Sequence, residues 1–318
     1  ATMGTRWSAL VYAPPATDDI DALKTALNRS VDRVDLQMST WKPESDLMRF
    51  NAAPPGNWVS LPAELMRVLE RALEIGRASD GAFDIGVGPL VNAWGFGPNR
   101  SGPDAELIRQ SLRVRLPPTH DVLELDRSAG RARKHAPVAL DLSGIAKGFA
   151  VDEMMRTVEA FDIPGALVSL DGEVKGRGTR ADGTPWLVAV EKPDFEARIP
   201  LGVIALRDAA VATSGDYRHW VDVGGRRLSH TMDRTRGGPA DNGIASVSVV
   251  TGSCMDADAW ATAFMVLGPT EGQALARKQG LDALFVQRRG EELILIPVGD
   301  VFRADQPSAA GLATMPAI

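Results

Sequence analysis

The segment MDADAWATAF (255–264) places Asp258 and Thr262 four residues apart, so a helix there carries both on one face. Carboxylate and hydroxyl oxygens are hard ligands. They suit Mg2+, which takes one or two protein carboxylates together with waters and substrate phosphates. Asp256 lies two residues earlier and points elsewhere on such a helix. The same spacing also fits an acidic first turn followed by an interior threonine. In DLSGIAKGFAVD (141–152) the chain passes from an extended run to a helical one through small residues. Such a junction exposes backbone amides at a helix N-terminus, where phosphate binds, and Lys147 adds a point charge. It is not a P-loop, because the Gly-x4-Gly-Lys-Ser/Thr spacing is absent. A tight packing turn with a solvated lysine reads equally well.

His230, in LSHTMDRTRGG (228–238), is a candidate general base or a surface loop histidine. Ser214, in TSGDY, is a candidate nucleophile with His230 as its base, but the Gly-x-Ser-x-Gly elbow is missing and a turn fits better. Trp41, in MSTWKPESDLMRFN (38–51), is a candidate stacking platform for an aromatic ligand or one of 7 tryptophans packing a core.

Hydrophobic periodicity gives the elements that must position these groups. Arg6–Tyr12 predicts a first strand. Ile20, Leu23, Leu27, Val31 and Val34 recur on one face of a helix, with Thr17 or Asp18 as N-cap. Leu65, Val68, Leu69, Ala72 and Leu73 repeat that pattern, with Pro62 in the first turn and Asp80-Gly81 at the end. Residues 104–112 predict a short helix. VALDL (138–142) predicts a strand, and the following helix runs to about Glu159. GALVSL (165–170), WLVAVE (186–191), LGVIAL (201–206), AAVATS (209–214) and IASVSVVT (244–251) predict short strands between Gly, Asp and Pro turns. Two helices follow, 255–267 and 270–279, and LDALFVQ with ELILIP predicts a terminal hairpin. The tail from Ala304 has no pattern and is expected to be loose. Strands outnumber helices and many are hairpin-linked. The expected class is therefore α+β with a largely antiparallel sheet.

Composition bounds the function. At 318 residues the chain exceeds one ordinary domain but not two lobes sharing a core. With 44% hydrophobic and 24% charged residues, wholesale disorder is excluded. The net charge of −6 leaves no basic footprint for nucleic acid. The single cysteine, Cys254, cannot close an internal disulfide, and 4 histidines make a poly-histidine metal site a poor expectation. No apolar run approaches the roughly 20 residues of a membrane span. The opening ATMGTRW carries no visible leader, the expected look of a processed or trimmed form.

Taken in order, MGT (3–5), MSTWKPESDLMRFN, GAFDIGVGPLVNAWGFG (81–97), DLSGIAKGFAVD, ATSGDY, SHTMD and ADAWAT (257–262) resemble the ApbE family of flavin transferases, almost from end to end. The resemblance implies a two-lobed, T-fold-like α+β unit with flavin in a cleft between intertwined lobes. It implies Mg2+-dependent cleavage of FAD, transfer of FMN to a Ser or Thr hydroxyl of a protein acceptor, and release of AMP. Some relatives hydrolyse FAD to FMN and AMP instead, and a non-catalytic flavin-binding module is the third reading. Carried over by position, the metal ligands are Asp258, Thr262 and the Ala146 carbonyl, and the catalytic histidine is His230. The flavin-nucleotide contacts are Met3, Trp41, Ala82, Phe83, Asp84, Ser143, Phe149 and Met232. The implied partner is a flavin-carrying subunit of a bacterial redox complex. The implied location is the periplasmic side, with room for a lipid anchor upstream of residue 1. Two departures stand out. Arg234-Thr235-Arg236-Gly237 replaces the family's Pro-Arg-Thr-Gly, and Asp171-Gly172 replaces its Gly-Gly.

Overall fold

The computed structural model describes residues 3–12, 17–98, 102–113 and 117–303, with Thr17 and Asp18 as backbone only. The expected N-cap at Thr17 or Asp18 and the tail from Ala304 therefore lie outside the described side chains.

A seven-stranded antiparallel sheet organises the chain. Its strands are, in spatial and sequence order alike, Trp7–Tyr12, Gly165–Leu170, Glu173–Arg177, Ala209–Gly215, Ile244–Thr251, Asp282–Arg289 and Glu292–Val298. The class is α+β, as the hairpin-linked strand pattern requires. Alternation along these strands feeds two cores. Ala210, Val247, Val249, Ala283 and Phe285 face the helical layer. Val211, Ala245, Val250, Leu284 and Val286 face the other way. There they meet Trp186, Val190, Ile204 and Leu206 from the two-stranded ribbon Trp186–Glu191 and Pro200–Leu206.

The helical layer contains Ala146–Glu159 and Cys254–Gln279, with Thr17–Met38 and Ala63–Ala78 outside them. All four contribute buried apolar side chains to the larger core, among them Leu27, Leu69, Phe149 and Phe264. The last helix has the expected two halves. Gly268 at φ 78° breaks it, Pro269 follows, and Asn242 Nδ2 donates to the freed carbonyls of Met265 and Val266 at 2.8 and 3.1 Å.

One expectation fails. Residues 138–142 are largely buried but belong to no sheet. The Asn51 side chain satisfies Leu140 from both sides, donating to its carbonyl at 2.9 Å and accepting from its N–H at 2.7 Å. The Ile85 carbonyl accepts from Asp141 N–H at 2.7 Å. A side-chain amide and a loop carbonyl thus take the place of a ladder partner.

Candidate functional site

The loop before Cys254 sets the Asp258 helix. Ser253 is its N-cap, and the buried Asp152 carboxylate of the neighbouring helix accepts from Cys254 N–H, Met255 N–H and Ser253 Oγ at 3.1, 3.0 and 2.8 Å. Lys175 Nζ balances that carboxylate at 2.6 Å. One negative charge therefore satisfies first-turn amides that would otherwise lack partners. Asp256 leaves the site as expected, gripped in a bidentate pair by Arg71 at 2.8 Å through both oxygens.

One turn further, Asp258 is buried and its Oδ2 accepts the Gly148 N–H at 3.0 Å. Thr262 Oγ1 lies 3.2 Å from Ser214 Oγ on the sheet. The glycines of the 141–152 segment make this approach feasible. A Cβ on Gly144 would sit 2.9 Å from Thr262 Oγ1, and one on Gly148 would sit 2.3 Å from the Cys254 carbonyl oxygen. The phosphate-turn reading needs revision here. The amides of Ser143 and Gly148 are already engaged, by Asp141 at 2.8 Å and by Asp258. The small residues serve close helix packing. Nor is Lys147 a free solvated charge: part-buried, its ammonium lies 2.8 Å from Glu173 Oε1 and 3.6 Å from Asp171 Oδ2.

These groups line one cavity of about 300 Å³, at the lower end of small-molecule sites. Ala82, Phe83, Asp84, Ser143, Met232 and His230 line it as well. His230 follows the strand Arg226–Ser229, and its Nδ1 lies 3.3 Å from the His219 carbonyl oxygen. A carbonyl only accepts, so Nδ1 carries the proton and Nε2 keeps its lone pair. His219 and Phe96 stand edge-on to the ring, at 5.4 and 6.2 Å between centroids.

Ser214 bonds Thr262, which does not support the Ser214–His230 pairing. Asp84 lines the cavity, but its carboxylate accepts from Gly86 N–H and from Thr119 N–H and Oγ1, with Arg234 Nε 3.0 Å away. Arg234, one of the two departures from the family pattern, thus pairs with Asp84 of the run expected to contact flavin. The remaining positions are not on the cavity wall. Phe149 is fully buried in the core beside Arg67, Met3 packs against that core, and Trp41 is 50% exposed beyond the Thr17–Met38 helix. Ala146 opens its helix, buried, two residues before Gly148.

Electrostatically the cavity is short of positive charge. Burial, then Glu173, pushes the Asp258 carboxyl up to about 7, against the opposing pull of Lys147 and the Gly148 amide. Burial opposes charge on Lys147, but Glu173, Asp258 and Asp171 raise its pKa above the usual lysine value. Burial, then His219 and Lys147, lowers His230 to about 4, so its imidazole is neutral near pH 7. The described residues gather no group of three His, Cys, Asp or Glu side chains that could hold a metal. The predicted donors are instead one carboxylate, one hydroxyl and one carbonyl. That oxygen-only set fits Mg2+ completed by water and phosphate. Two buried carboxylates, Asp258 and Glu173, near a single ammonium, with Glu173 Oε2 lacking a hydrogen-bond partner among the described residues, fit a cation too.

Glu173 is the residue that sequence reasoning missed. A glutamate opening a strand reads as a solvent-facing charge, yet this one is 2% exposed.

Comparison with known proteins defines the class. The sequence profile of the ApbE family matches residues 3–285, and the chain belongs to that family. It is 36% identical over 286 residues to an FAD:protein FMN transferase of Vibrio cholerae, covering 90% of this chain and 85% of that protein. It is 33% identical over 294 residues to one of Escherichia coli K12, covering 91% and 83%. The crystal structure of the apo flavinyl transferase ApbE of Pseudomonas stutzeri superposes with a TM-score of 0.82 at 34% identity, covering 94% of this chain and 92% of that one.

Proposed function

We propose that this chain is an FAD:protein FMN transferase that uses Mg2+ and a Ser or Thr hydroxyl of an acceptor protein. The observation that carries the reading is the meeting at one cavity of Lys147 from one helix, Asp258 and Thr262 from another, and His230 from the loop after a strand. The names of the curated relatives support it.

The acceptor oxygen forms a bond to the FMN phosphorus. The pyrophosphate P–O bond to AMP breaks, and AMP leaves with that electron pair. The acceptor's proton passes to His230 Nε2, the nitrogen left free by the Nδ1–H bond to the His219 carbonyl. Lys147 presents positive charge to the phosphates. Asp258, Thr262 and the Ala146 carbonyl would hold Mg2+, which when bound offsets charge on the pyrophosphate. Phe83 and Met232 offer apolar wall to the flavin end.

The resemblance alone supports the finer placement. The acceptor is a flavin-carrying subunit of a bacterial redox complex, and the enzyme works on the periplasmic side, either free or anchored at the inner membrane. Incubation with FAD, Mg2+ and such a subunit tests the activity by intact mass. One FMN gained per acceptor, with AMP released, is the expected result. Release of FMN and AMP with an unmodified acceptor would replace transfer by hydrolysis.

A further inference from the structure

Lys147 and Asp258 line the same cavity, and the residue after Lys147 donates its N–H to Asp258 Oδ2. A flexible ammonium beside a buried carboxylate is the natural occupant of the place a cation needs. Yet among the described residues no Lys147–Asp258 ion pair forms. The ammonium instead lies 2.8 Å from Glu173 Oε1, with Asp171 Oδ2 on its flank at 3.6 Å.

Glu173 is otherwise an expensive residue. Its side chain is 2% exposed, and among the described residues Oε2 has no hydrogen-bond partner. A buried carboxylate with an unmet oxygen costs stability unless something else needs it. The Val174–Gly176 backbone pairs with Ala209–Val211, which fixes the start of the strand relative to the sheet. Glu173 therefore holds Lys147 from a rigid element.

We propose that Glu173 is a positioning residue: it binds the Lys147 ammonium, keeps it off Asp258, and so leaves the Asp258 carboxylate open to a divalent cation. The inference rests on the metal-dependent reading above, but its test needs no turnover.

The experiment is Mn2+ binding to the FAD-free protein, read by the loss of the free Mn2+ EPR signal. Glu173→Gln preserves shape and removes the charge. Its Mn2+ affinity is expected to fall about 10–100-fold, as for other groups that support a metal ligand. Adding Lys147→Met to Glu173→Gln is expected to restore most of that affinity, because the competitor is gone. Lys147→Met alone is expected to bind Mn2+ at least as tightly as the native protein, and it tests the proposal even if Glu173→Gln fails to fold. Unchanged affinity in Glu173→Gln, no recovery in the double variant, or weakened binding in Lys147→Met would each overturn it. A chain that transfers no FMN but shows this binding pattern would refute the proposed activity and leave the positioning role standing.

Discussion

Replacing Gly148 by alanine tests how the two helices meet at the site. The added Cβ would lie 2.3 Å from the Cys254 carbonyl oxygen, 2.7 Å from its carbon and 2.8 Å from Asp258 Cβ. Ordinary carbon–oxygen contacts lie at about 3.3–3.6 Å, so the helices must part by roughly 1 Å. Two of the three obstructing atoms are backbone, and no rotamer change relieves them. Overpacking of this kind costs about 1–3 kcal/mol. For a chain of this size each kcal/mol lowers Tm by roughly 2–4 °C. The shift also stretches the 3.0 Å bond from Gly148 N–H to Asp258 Oδ2. Thermal unfolding followed by circular dichroism, with Mn2+ titration of the folded protein, reads both effects. Gly252→Ala is the control: a Cβ there meets nothing within 4 Å, and it precedes the same helix by only two residues. A Tm fall of several degrees with weakened Mn2+ binding is expected for Gly148→Ala, and neither for Gly252→Ala. A Gly148→Ala protein with native Tm and native Mn2+ affinity would refute the close-packing account.

His230→Ala is expected to lower kcat by about 10²–10⁴ while FAD affinity, measured by calorimetry, changes little. Because burial lowers the His230 pKa to about 4 from 6.5, its base form persists at more acidic pH than in an exposed histidine. At saturating Mg2+, which keeps Asp258 ionised, the acid limb of the kcat–pH profile should thus fall near 4, and a limb at 6.5 that does not move with Mg2+ concentration would place the base elsewhere. Asp258→Ala is expected to abolish transfer and Thr262→Ala to reduce it, while EDTA should stop the native protein until Mg2+ is added back. Asp152→Ala leaves Lys175 unpaired in a largely buried position and strips the 254–279 helix of its clamp. A loss of about 3 kcal/mol in denaturant unfolding is expected, since breaking a buried pair from one side is costly.

The sequence by itself determined the elements and the face each one buries. Apolar spacing along Thr17–Met38 and Ala63–Ala78 is a local property, readable because each helix must bury one stripe. The four-residue step from Asp258 to Thr262 is equally local, and the helix brings both to one cavity. The resemblance put His230 and Met232 at that cavity as well, but it also named Phe149, which faces the core, and Trp41, which stands outside the wall. Tertiary structure decided everything that depends on a partner distant in the chain. Residues 138–142 have a strand's alternation, yet they carry no sign that Asn51 would take the place of a neighbouring strand. The glycines at 144 and 148 suggest a phosphate turn until the 254–279 helix is seen pressed against them. Glu173 looks like a surface charge because sequence reveals neither the burial of a strand's first residue nor the lysine waiting across the cavity. Periodicity records which side of an element avoids water; only packing in three dimensions fixes which charges that side must share.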